Sequence, residues 1–153
     1  MEKTNQAVVF QEVSKSFGQV NAVRELNFNI EPGQLITLLG PSGCGKTTTL
    51  RLIAGLEMVT KGRIFIGEKE VTHVSASERD VSMVFQSYAL FPHMNVFQNV
   101  SYGLTISRLP KVEVKEKAEA ALGLVGLADY GKRLPSELSG GQQQRVADAR
   151  ALV

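Results

Sequence analysis

The amino-acid sequence predicts an α/β fold, with strands towards the N-terminus and helices towards the C-terminus. Leu35–Leu39 is apolar on both parities of a strand, the pattern of a parallel strand covered on both faces. A glycine-rich turn follows it at once and leads into a helical segment from Lys46. Beyond Phe91-Pro92 the apolar residues recur at three and four rather than alternating.

The elements follow in order. Ala7 to Val13 suits a strand, and Leu26, Phe28 and Ile30 alternate with Asn27 and Asn29 in a second. Glu31-Pro32-Gly33-Gln34 reads as a turn before the Leu35–Leu39 strand. The helix from Lys46 runs through Ala54, with Gly55 as its ending residue. Gly62–Gly67 and Val81–Phe85 are short strands, the latter ending at Gln86. In Lys111–Leu127, Val114, Ala118, Ala121, Leu122 and Val125 form one apolar stripe among Lys and Glu, so this amphipathic helix packs one face. Leu134-Pro135-Ser136 breaks the pattern, and a last helix runs from about Gly141 to the C-terminus.

With 153 residues, 43% apolar and 21% charged, the chain reads as globular and about one domain in size. Its formal charge of +2 is spread evenly. No basic block marks a nucleic-acid partner. No segment approaches the ~20 consecutive apolar residues of a membrane span, and the polar Met1–Gln6 has no signal-peptide core. A soluble, cytoplasmic chain is expected. The single cysteine, Cys44, fits a reducing compartment.

Gly40-Pro41-Ser42-Gly43-Cys44-Gly45-Lys46-Thr47 matches G-x-x-x-x-G-K-[ST], between an apolar strand and a helix. Glycines let successive backbone N–H groups turn inward around phosphate oxygens, and the helix aims its positive end at them. Lys46 reaches the β- and γ-phosphates in this reading, Thr47 holds Mg²⁺ with its hydroxyl, and Thr48 completes the cradle. The plain alternative is a glycine-rich turn before an ordinary helix. Cys44 reads as a small filler in the loop, and its place at the helix start makes it an alkylation target. His73 and His93 are isolated and are assigned no metal.

Two further stretches narrow the phosphate-binding class. Leu138-Ser139-Gly140-Gly141-Gln142 resembles the signature motif of ATP-binding cassette (ABC) ATPases, and Val84-Phe85-Gln86 with Ser87–Pro92 resembles their Q-loop. Ser139-Gly140-Gly141 also stands at a predicted helix start, a second anion-binding end in its own right. The resemblance implies a head-to-tail dimer, in which the signature of one ATPase subunit (Ser139, Gly140, Gly141, Gln142) closes on ATP held by the other. It implies that Phe17 stacks on adenine, although a strand-end aromatic also suits a core. Gln86 then contacts Mg²⁺ or orients the attacking water, and its loop and the helical subdomain couple to transmembrane permease subunits. The tract from Tyr88 to Met94 otherwise reads as core. A periplasmic binding protein is implied indirectly, with the ATPase peripheral on the inner face of the membrane. The wording of the Gly40–Lys46 and Ser87–Met94 tracts looks most like bacterial importer subunits, those for ferric iron foremost.

The expected organisation is one partial nucleotide-binding domain. The resemblance implies that residues 1–85 form an antiparallel β subdomain and P-loop core, residues 86–145 the Q-loop and helical subdomain, and residues 146–153 the start of the return to the core. The chain ends at Val153, about where the family's Walker B segment begins. The C-terminal part of the sheet and the glutamate expected to polarise water are therefore expected to be missing, so that the intact protein hydrolyses ATP and these residues alone do not. Asp148 departs from the apolar residue usual in the family; an exposed pair with Arg145 and a buried carboxylate both remain open. The competing readings are a non-catalytic nucleotide-binding or interaction module and a non-transport cassette protein.

Overall fold

The computed structural model describes residues 7–153. They form two compact units, one ending at Val81 and the other spanning Ser82–Val153.

The first unit is built on an antiparallel sheet of order β2-β1-β3-β4, with β1 at Val8–Phe17, β2 at Val20–Ile30, β3 at Lys61–Ile66 and β4 at Lys69–Glu70. The tight turn between β1 and β2 uses Gly18 at φ 58°. Both long strands run further than their hydrophobic patterns indicate, because register shifts between Phe10 and Ser16 absorb residues that break alternation. Glu12 and Glu25 occupy the left-handed region there, and the Asn27 side chain bridges them: its Oδ1 accepts from Glu12 N at 2.8 Å and its Nδ2 donates to Glu25 O at 2.9 Å. One face carries the core of Phe10, Val13, Ile64 and Val71, and helix α1 (Lys46–Ile53) adds Leu52 to it. Phe10 stacks on Phe28 with ring centroids 4.4 Å apart. Burying each of the largest side chains contributes roughly 2–3 kcal/mol.

Two expected strands do not form. Leu35–Leu39 and Val81–Phe85 carry no ladder, and Leu35 and Leu39 are 95% and 87% exposed. A parallel strand exists only where neighbours take its N–H and C=O groups. Among the described residues the sole sheet is the antiparallel one, and neither segment finds a partner in it.

The second unit is helical: α2 at Val96–Ile106, α3 at Lys111–Leu124 and α4 at Gly140–Ala151. Asn95 starts α2 with a capping box, its Oδ1 accepting from Gln98 N at 2.8 Å and its N–H donating to Gln98 Oε1 at 2.9 Å. Helix α3 buries Ala118, Ala121 and Leu122 of the expected stripe. It stops three residues short of the expected end, where Gly126 turns at φ 70°. Val96, Val100, Leu122, Leu127, Val146 and Ala149 make the core that the three helices share.

Candidate functional site

In the first unit, Gly40–Thr48 forms a loop that feeds α1. Gly45 is the N-cap, left-handed at φ 92° and with no side chain to cap the helix, so the first-turn N–H groups stay open for an external acceptor. A Cβ at Gly45 would overlap the Ala22 carbonyl oxygen, so close approach to β2 and backbone conformation both require glycine here. The Lys46 ammonium folds back across the loop and donates to Gly40 O at 2.7 Å and Pro41 O at 2.8 Å, with Cys44 Sγ at 3.4 Å. Carbonyls are neutral acceptors, so a phosphate oxygen is the stronger partner for the same cation. Pro41, Ser42, Gly43, Cys44 and Thr47 are exposed, and Thr48 is half-buried. Thr49 faces inward, its hydroxyl donating to Gly45 O at 3.0 Å.

Phe17 is 46% exposed at the end of β1. The Lys15 ammonium lies over its ring, 4.6 Å from the centroid, and pairs with Glu57 at 2.9 Å. The ring is therefore presented to solvent from a polar mount rather than buried as core.

Arg79 carries no motif and is buried. Its Nη1 donates to Leu52 O at 2.6 Å and Ile53 O at 2.8 Å, its Nη2 to Val71 O at 2.6 Å and its Nε to Val74 O at 3.0 Å. The guanidinium thus ends α1 and ties it to the segment after β4. Placing the cation against the helix C-terminus is favourable, while burial pushes its pKa below the ordinary value. Gly55 makes room for it, since a Cβ there would come within 2.6 Å of Arg79 Nε. Nearby, the Ser75 hydroxyl, 2.7 Å from Glu78 Oε2, holds that exposed carboxyl below its usual range.

In the second unit Gln86 is exposed in a turn. Tyr88 and Ala89 follow it in consecutive left-handed conformations, φ 61° and 48°. Arg150, in the last turn of α4, donates through Nη2 to Tyr88 O at 3.0 Å and through Nη1 to Ala89 O at 2.8 Å. Burial lowers its pKa as it does for Arg79. Next along, Asn99 is fully buried: Phe91 N donates to its Oδ1 at 2.8 Å, and its Nδ2 reaches the carbonyls of Phe91, Met94 and Asn95.

Ser139 is the N-cap of α4 in a capping box with Gln142, which donates from N to Ser139 Oγ at 3.3 Å and accepts from Ser139 N at 2.9 Å. Gly140 and Gly141 then contribute first-turn N–H groups that no intrahelical carbonyl takes. Asp148 is half-buried on α4 and forms no ion pair among the described residues. Arg79, Arg150 and Asn99 escape the sequence reading because each serves backbone atoms, for which no motif exists.

Thr47 in the first unit offers a hydroxyl oxygen and Gln86 in the second an amide oxygen, each exposed. Such hard oxygens suit Mg²⁺, which keeps several waters and takes phosphate oxygens as well.

The model of the family described as ABC transporter matches residues 23–153. The Fe(3+) ions import ATP-binding protein FbpC of Agrobacterium fabrum is 67% identical over 147 residues, covering 96% of this chain and 42% of that protein. The protein of the same name from Rhizobium etli is 68% identical over 146 residues, 95% of this chain and 41% of its own length. The chain thus spans about 42% of the first of these relatives. Among solved structures, the dimeric MJ0796, a bacterial ABC transporter cassette, superposes with a TM-score of 0.87 at 30% identity, over 95% of this chain and 68% of that one. A post-hydrolysis dimer of MJ0796 bound to ADP and Pi gives 0.85 at 31% identity with the same coverage. The fold is that of the ABC ATPase cassettes, and with a family match extending over residues 23–153 the chain belongs to the ABC transporter family.

Proposed function

We propose that these residues are the nucleotide-binding part of an ABC importer ATPase, with ferric iron as the transported solute. The observation that carries the reading is Lys46: its ammonium bridges the Gly40 and Pro41 carbonyls at the mouth of an uncapped helix, poised to exchange them for phosphate oxygens. The high identity to Fe(3+) import proteins supports the solute.

Backbone N–H groups of Gly40–Thr48 bind the α- and β-phosphates of ATP, and Lys46 the β- and γ-phosphates. Phe17 stacks on adenine. Thr47 and Gln86 would each offer an oxygen to Mg²⁺, which would supply neutralisation of phosphate charge. Ser139, Gly140, Gly141 and Gln142 present the second anion-binding end to ATP held by another copy, in a head-to-tail dimer. In the intact protein Gln86 orients a water, the family's glutamate beyond these residues takes its proton, and its oxygen bonds to the γ-phosphorus as the bond to the β–γ bridging oxygen breaks, giving ADP and phosphate. Residues 1–85 act as the β subdomain and P-loop core, residues 86–145 as the Q-loop and helical subdomain, and residues 146–153 as the return towards the core. The Q-loop tract meets the permease subunits at the inner face of the membrane, and a periplasmic binding protein delivers the solute from the other side.

The test is a fluorescent-ATP titration of the wild type and Lys46→Ala, followed by phosphate release from the longest reading frame that contains these residues. Saturable MgATP binding lost in Lys46→Ala, with turnover in the longer chain, is expected. Equal affinity in the two proteins overturns the assignment.

A further inference from the structure

Two consecutive non-glycine residues in the left-handed region are uncommon, and such strain persists only where surroundings over-determine it. At Tyr88 and Ala89 the over-determining group is visible. One planar guanidinium takes both carbonyls, Tyr88 O at 3.0 Å and Ala89 O at 2.8 Å, from a residue 62 and 61 positions away. The turn also has its own bonds, Tyr88 N to Phe85 O at 2.9 Å and Ala89 N to Ser87 O at 2.7 Å, which enclose Gln86 and Ser87. The Arg150 guanidinium lies 5.8 Å from the Phe91 ring centroid as well, so its orientation is fixed from a second side.

The other end of Tyr88 is equally informative. A Cβ built on Gly140 would meet the Tyr88 hydroxyl at 3.7 Å, so the phenol reaches the first residue of α4 while the Tyr88 carbonyl is held from its last turn. One residue therefore lies along the helix between Arg150 and the Ser139 cap.

We propose that Arg150 is a positioning residue: it clamps the left-handed turn at Tyr88–Ala89 and so ties the segment after Gln86 to the helix that begins at Ser139. This rests on the reading of Gln86 and Ser139 as parts of an ATP site. A guanidinium suits the task because its donors are fixed in one plane, whereas an ammonium is a point charge on a flexible stem. Any movement of the Gln86 segment that breaks either carbonyl bond releases the turn to ordinary backbone conformations. Position of the loop and position of the signature end are thereby linked through α4.

The experiment uses the longest reading frame containing these residues, with Arg150→Ala, Arg150→Lys, Ala89→Gly and the Arg150→Ala/Ala89→Gly pair. Glycine adopts left-handed backbone without a steric penalty, so it supplies what the clamp enforces. In Arg150→Ala, exchange of the Tyr88 amide is expected to rise about tenfold and kcat for ATP to fall about tenfold, with KM changed less than about threefold. Measured against Ala89→Gly alone, the double variant should lose no more than about threefold in kcat. Rescue by a glycine in another segment is not expected if Arg150 merely fills space. Unchanged Tyr88 exchange in Arg150→Ala, or a double variant that loses the full amount, overturns the proposal. If Arg150→Ala does not fold, Arg150→Lys with and without Ala89→Gly makes the same comparison. The exchange measurement needs no nucleotide, so failure of the ATP reading, seen as MgATP affinity untouched by Lys46→Ala, is separable from failure of the clamp.

Discussion

Lys15 stands over the ring of Phe17, its ammonium 4.6 Å from the centroid and anchored by Glu57 at 2.9 Å. A cation on one face withdraws electron density from the ring and favours stacking of an electron-rich base on the other. Lys15→Met should therefore weaken binding of ATP by about threefold while leaving tripolyphosphate, which has no base, unchanged. Competition titrations with both ligands check this. Equal losses for the two ligands would assign Lys15 to the phosphates instead.

Lys46→Ala separates binding from folding. Its ammonium bonds only exposed loop atoms, the Gly40 and Pro41 carbonyls and Cys44 Sγ, so the unfolding free energy should change by less than ~0.5 kcal/mol. MgATP affinity should fall by about a hundredfold or more, since a charge aimed at phosphate is removed. Denaturant melts and nucleotide titration of the same preparations measure the two quantities.

Arg79 predicts the opposite balance. Removing it takes a donor from the carbonyls of Leu52, Ile53, Val71 and Val74, and Leu52 O and Val71 O keep only backbone N–H groups at 3.3 and 3.1 Å. Arg79→Met should cost about 3 kcal/mol or more in a urea melt. Arg79→Lys should recover little, because one ammonium cannot serve four carbonyls set around a planar fork. A loss below ~1 kcal/mol for Arg79→Met would show that water replaces the guanidinium freely.

Cys44 is exposed, with its sulfur 3.4 Å from Lys46 Nζ. A maleimide should label it in the free protein, and saturating MgATP should slow labelling at least about fivefold by covering the loop. Identical rates with and without nucleotide would place the phosphates elsewhere.

The loop at Gly40–Thr47, the helix start at Ser139 and helices α1, α3 and α4 were legible because their signals lie in contiguous residues: a glycine spacing, a cap, a stripe. The strand pattern at Leu35–Leu39 was legible as well, yet a strand is a relation between segments, and no described segment pairs with this one. Arg79 and Arg150 were illegible for a related reason. Their acceptors are main-chain oxygens 5 to 27 and 61 to 62 residues away, and every residue type carries the same carbonyl. The left-handed Glu12 and Glu25 were hidden similarly, since the Asn27 amide that joins them looks in sequence like an ordinary outward-facing strand residue.

Gly55 and Arg79 carry a consequence for how this sequence can drift. Any side chain at position 55 would begin within 2.6 Å of the Arg79 Nε, in a backbone conformation at φ 72° that already disfavours one. Arg79 must leave before position 55 can gain a Cβ, and once it has left, only the turn and the Ala76 backbone nitrogen, 3.0 Å from that Cβ, still favour the glycine. Substitutions at the two positions are therefore ordered in evolutionary time, with loss of the arginine first and enlargement at 55 second. A lineage that has taken both steps cannot restore the arginine by a single change.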